Sequence, residues 1–94
     1  MNVLLEIAIG LGGILLSLIN IYIWIIIINA LLSFVNPDPY NPIVQLLNRV
    51  TQPAYNLVRK FIPTTFNGLD LAPLIIIIVL QVLMVIMSSF LRNL

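Results

Sequence analysis

Apolar residues run almost without interruption from Val3 to Val35 and again from Leu71 to Leu91, and the polar residues that break these tracts come singly. At about 1.5 Å of rise per residue, roughly 20 helical residues cross a hydrocarbon core of about 30 Å. The first tract exceeds that length and the second fits it, so the pattern predicts two transmembrane helices. Gly10, Gly12 and Gly13 each weaken helix propensity by roughly 1 kcal/mol. That leaves a long tilted helix or an interruption at the glycines. The expected membrane core of the first span is 11–34, with the preceding residues interfacial. Pro73 suits the entry to the second span, because a first helical turn has no hydrogen bond to lose there.

Between the tracts the pattern changes. Asn36, Asp38 and Asn41 each precede a proline and are pushed out of the α region, so the first helix stops by Val35. Asn41 then offers a capping side chain and Pro42 a first helical position. Ile43, Leu46, Leu47 and Val50 fall on one side of the helix that follows, Gln45, Asn48, Arg49 and Gln52 on the other. Pro53 restarts the pattern, with Ala54, Leu57, Val58, Phe61 and Ile62 apolar and Asn56, Arg59 and Lys60 polar, until Pro63 ends it. The reading is two short amphipathic helices, 42–52 and 53–62, marginal in water but stabilised on a bilayer surface. Thr64 to Gly68 then turns the chain back. The expected fold class is a single-domain, all-α membrane protein. It has an N-terminal transmembrane helix in 1–35, a Pro-bounded interfacial segment in 36–70 and a C-terminal transmembrane helix in 71–94, the two spans forming an antiparallel hairpin.

The single polar residues inside the tracts are themselves patterned. Glu6, Gly10, Gly13, Ser17, Asn20 and Trp24 follow a spacing of four and three that puts them on one stripe of the first helix. Asp70, Leu74, Ile77, Gln81, Met84 and Ser88 repeat that spacing in the second. In lipid, small residues allow close approach and interhelical hydrogen bonds contribute roughly 0.6 to 2 kcal/mol each. The two stripes are therefore read as helix–helix packing faces, in a register that pairs Asn20 with Gln81 and brings Glu6 near Arg92. The same stripes could instead face another copy. Asn29 and Ser33 lie on the opposite side from Asn20, facing lipid or a neighbour, which points to homo-oligomers. Such polar residues also line permeation paths in other proteins, but neither span carries a charge at its centre. Tyr40 and Tyr55 suit the interface, whereas Trp24 suits packing.

Composition sharpens this picture: 62% of the 94 residues are hydrophobic and 7% charged, too few to give a water-soluble domain a polar skin. The net charge of +1, with no basic run longer than Arg59-Lys60, excludes a nucleic-acid footprint. The chain has no cysteine and no histidine, which removes disulfides, thiolate nucleophiles and the usual metal and haem ligands, and no cofactor is expected. Asp38 and Asp70 are isolated carboxylates with turn and helix-start roles, so no catalytic residue is assigned. The first tract carries Glu6, no Lys or Arg, and no small-residue cleavage site, which predicts that it is kept in the mature protein. Arg49, Arg59 and Lys60 lie in the connector and Arg92 after the second span. This bias puts the connector in the cytoplasm and both termini outside. Arg59-Lys60 reads equally as an anionic-lipid contact or as a solvated face.

The stretch FVNPDPYNPIV, the Thr51-Gln52-Pro53 start, the basic pair before Ile62-Pro63 and the run Gly68-Leu69-Asp70-Leu71-Ala72-Pro73 together resemble the YggT family (also called YlmG). The similarity runs from about Ala30 to Gln81; before Ala30 the likeness is that of a hydrophobic helix. Thr64 and Ala72 stand where many relatives have a second proline and a serine. These are small membrane proteins of bacteria and plastids, some with two tandem copies of the unit, and a two-copy assembly of this chain would require a homodimer. The resemblance implies a non-enzymatic role in the bacterial inner membrane, with links to osmotic tolerance and to cell division or envelope organisation. For plastid relatives it implies links to nucleoid distribution and haem attachment to a b-type cytochrome. The first expectation is thus a scaffold or assembly factor. Its surface of Asn36, Pro37, Asp38, Pro39, Tyr40, Asn41, Pro42, Arg49, Arg59 and Lys60 would meet the bilayer, anionic headgroups or an unknown membrane protein partner. The alternative is an oligomeric channel or transport component built on the Asn29/Ser33 face.

Overall fold

A computed structural model describes residues 2–35, 38, 40–63, 65–66 and 69–94, with 65, 66, 69 and 70 given by their backbone alone. Three α-helices, α1 (Val3–Phe34), α2 (Pro42–Phe61) and α3 (Ala72–Arg92), are joined in order, with short strands β1 (Thr65–Phe66) and β2 (Leu69–Asp70) between α2 and α3. The strands pair antiparallel, Thr65 with Asp70 and Phe66 with Leu69. They occupy part of the expected turn; Thr64, Asn67 and Gly68 lie outside the described residues.

α1 is unbroken. Its glycines do not interrupt it, and it starts earlier than the expected core, where the Asn2 side chain accepts the Leu4 amide at 2.9 Å and caps the first turn. It ends at Phe34, ahead of the prolines. α2 starts as the Asn41-Pro42 pair predicts: the Asn41 side chain accepts the Ile43 amide at 2.9 Å and Pro42 takes the first position. Upstream, the Asp38 carboxylate accepts the Tyr40 amide at 2.9 Å, an Asx-type turn.

Pro53 gives a correction. The chain does not form two helices, 42–52 and 53–62, but continues through Pro53 as one helix of 20 residues. An interior proline removes one helical hydrogen bond and costs about 3 kcal/mol. Two attachments offset that cost: the Tyr22 hydroxyl donates to the Val50 carbonyl at 2.7 Å before the proline, and Tyr55 is buried after it. Both halves also present the same faces, so continuing the helix preserves packing that a break would lose.

α2 has three faces. Val44, Thr51 and Tyr55 are buried against the other helices. Gln45, Arg49, Asn56 and Lys60 form an exposed polar face. Ile43, Leu46, Val50, Leu57 and Phe61 form a third face, apolar and yet exposed. An apolar face with no protein cover, next to a charged one, is consistent with the amphipathic interfacial segment expected from the sequence.

α1 and α3 are both long and apolar enough to cross a membrane. Their most apolar windows are only 17% and 6% buried, whereas the core helix of a water-soluble protein hides most of its surface. That exposure is consistent with a membrane protein. The two helices meet where Gly12 faces Leu91: a Cβ added at Gly12 would lie 2.5 Å from Leu91 side-chain atoms, so a larger residue there would have to displace the Leu91 side chain. Further along, Ile26, Tyr55, Ala72 and Ile76 form the core, where all three helices converge.

Candidate functional site

At the convergence of the helices one amide ties α1 to α2. The Asn29 side chain, 4% exposed, donates to Asn48 Oδ1 at 2.9 Å and accepts the Tyr55 hydroxyl at 2.9 Å. Its backbone carbonyl also accepts the Ser33 hydroxyl at 3.0 Å. Thr51, fully buried on the facing side of α2, donates to its own helix at Leu47 O, 2.8 Å away. Among the described residues no buried side-chain nitrogen or oxygen lacks a partner. The cluster is thus closed, as buried polar groups require.

Beside it lies a cavity of about 570 Å³ between the three helices. Asn29, Tyr55 and Arg59 supply its polar wall; Phe34, Leu74 and Ile77 supply its apolar one. The Arg59 guanidinium stands 5.7 Å from the centre of the Tyr55 ring, within cation–π range. Its Nη1 also makes long contacts to Asn56 Oδ1 at 3.4 Å and Gln52 Oε1 at 3.5 Å. A wall of amide, phenol and guanidinium opposite hydrocarbon can hold an amphiphilic group by charge, hydrogen bonding and packing. Among the described residues no three His, Cys, Asp or Glu converge to hold a metal ion.

The expected site residues separate into groups. Asp38, Tyr40, Asn41 and Pro42 are exposed, as are Arg49, Arg59 and Lys60 on α2. Asn36, Pro37 and Pro39 lie outside the described residues, and so does the side chain of Asp70. The structure does not turn the α1 stripe toward α3: Glu6, Gly10, Gly13, Ser17, Asn20 and Trp24 are all exposed. On α3, Gln81, Ser88 and Arg92 are exposed and Met84 is half-buried. Asn20 and Gln81 form no hydrogen bond with each other, and Glu6 and Arg92 form no ion pair. Gly12, one residue off the stripe, makes the close approach instead, because Leu91 fills the space it leaves. Asn29 is likewise corrected: it faces neither lipid nor a neighbour, because α2 covers it. Tyr55, expected at the interface, is buried with it. Spacing singles out Asn29 and Ser33. The signal it misses is their match to Asn48 and Tyr55, two polar residues two turns apart on the inner side of α2.

Comparison with known proteins gives a family. The CCB3/YggT family model matches residues 8–91. An uncharacterized protein of Pseudomonas aeruginosa, PA0392, is 40% identical over 68 residues, which cover 72% of this chain and 34% of that protein. An uncharacterized protein of Vibrio alginolyticus, from the region 3′ of proC, is 36% identical over 67 residues, covering 71% and 36% respectively. The chain thus matches about a third of the length of each of these relatives. No solved structure matches it.

Proposed function

The chain belongs to the CCB3/YggT family, and from that membership we propose that it is a non-enzymatic scaffold or assembly factor of the bacterial inner membrane. In this reading α1 and α3 cross the bilayer as an antiparallel hairpin, and α2 lies at the cytoplasmic boundary with both termini outside. The observation that carries it is the three-faced α2. Asn29, Asn48 and Tyr55 lock one face to the spans, an apolar face is left for acyl chains, and the face bearing Arg49 and Lys60 is left for water, headgroups or a partner. Such a helix is held at a fixed height and rotation, as a docking platform requires. The roles implied by resemblance, osmotic tolerance and cell division or envelope organisation, are compatible with a platform and need no catalytic group.

A channel assembled through Asn29 and Ser33 is less well supported, because the Asn29 amide is already engaged by α2. A photo-crosslinking amino acid at Tyr40, 83% exposed at the entry to α2, tests the platform in intact cells. The expected product is one discrete adduct with a protein that has a cytoplasmic face, diminished by Arg49→Glu with Lys60→Glu. Adducts with lipid alone, together with ion flux in liposomes that depends on the chain, would overturn the scaffold reading. An adduct with a periplasmic protein would overturn the orientation.

A further inference from the structure

The face of the hairpin away from α2 is where the structure leaves chemistry unused. A groove of about 360 Å³ runs between Leu16 on α1 and Gln81, Met84, Ser88 and Arg92 on α3. Asn20 stands one helical turn beyond Leu16, on the same side. Counting inward equally along both helices from the Gly12–Leu91 contact brings Asn20 to the level of Leu83, near the middle of α3. α3 has the length of a single span, so Asn20 and Gln81 both lie near the bilayer centre. Both are exposed, and neither has a hydrogen-bond partner among the described residues. Acyl chains offer no donor or acceptor, and an unsatisfied amide in hydrocarbon is strongly disfavoured.

We propose that this groove is the interface of a parallel two-fold homodimer in which the Asn20 and Gln81 amides of one copy hydrogen-bond those of the other. The inference rests on the transmembrane reading above. Three features select a second copy over other occupants. Copies inserted by the same rule share one orientation, so each amide meets its counterpart at equal depth. Asn and Gln each carry donors and acceptors, so the face is complementary to itself. The same face carries opposite charges near its outer end: Arg92 lies at the level of Leu11, about one and a half turns from Glu6, a gap that a snorkelling arginine covers. Neither charge has a partner among the described residues. Gly10 and Gly13 have nothing within 4 Å of an added Cβ, so the surface beside the groove is open to close approach.

The chain has no cysteine, so a single introduced thiol reports contact cleanly. In liposomes at high lipid dilution, Ser17→Cys should oxidise to a covalent dimer, while Leu15→Cys, nearly opposite on α1, should not. Energy transfer between labelled copies of the double variant Asn20→Leu with Gln81→Leu should show a weaker dimer. Its dissociation constant should rise roughly 3- to 30-fold for each interhelical hydrogen bond removed. Both changes make the chain more apolar, so insertion and helicity by circular dichroism should persist. Gly13→Ile, which keeps both amides but fills the approach, should also weaken the dimer. A monomer in lipid, undiminished association of the double variant, or equal oxidation at position 15 would overturn the interface. Release of the chain from vesicles by alkaline carbonate would remove the bilayer reading and this inference together. Retention as a monomer would remove this inference alone.

Discussion

Asn29 ties α1 to α2 by bonding two partners with one amide, and its loss removes both bonds. Asn29→Leu keeps the branched shape of the side chain, in a larger volume, but removes its bonds to the Tyr55 hydroxyl and to Asn48 Oδ1. The expected loss is about 1 to 3 kcal/mol, while Tyr55→Phe, which leaves the Asn29–Asn48 bond in place, costs about 0.5 to 1.5 kcal/mol. Reversible unfolding in mixed micelles, followed by circular dichroism, measures both. Equal, negligible losses would mean that the contact is incidental. The polar residues of α1 were visible in the sequence as polar, and their spacing divided them into two sides. Which side met protein was not legible, because Asn20 and Asn29 are the same residue type in similar apolar surroundings. Only the tertiary partner distinguishes them: Tyr55 and Asn48 for Asn29, and none among the described residues for Asn20.

At the scale of elements, α1 and α3 were readable from length and hydropathy, and the start of α2 from Asn41-Pro42. The continuity of α2 was not, since proline normally signals a boundary and the compensating bond comes from Tyr22, far away in sequence. The three-faced reading of α2 makes an expectation that neither a buried nor a fully solvated helix would meet. An environment-sensitive dye on Leu57→Cys in vesicles should emit as if in hydrocarbon, and on Asn56→Cys as if in water. The same emission from both positions would remove the interfacial placement. A charge at Leu57 should correspondingly destabilise docking, because burying a leucine in an apolar medium is worth about 1.5 to 3 kcal/mol.

At the scale of the whole molecule, the extents of 53 × 29 × 18 Å describe a flat, elongated body. Helix content and the number of candidate spans were legible from the sequence. The arrangement of the three helices was not, because it depends on Gly12 meeting Leu91 and on one core shared by Ile26, Tyr55, Ala72 and Ile76. That arrangement is lopsided: α2 and its outward apolar residues are all at one end of the α1–α3 pair. In the transmembrane arrangement proposed above, a body so built would displace more area in one leaflet than in the other and act as a wedge. It should partition into small, tightly curved vesicles in preference to large flat ones when its thick end lies in the outer leaflet, and flotation assays across vesicle sizes would register that bias. Indifference to vesicle radius would mean that the third helix rides above the lipid rather than within it.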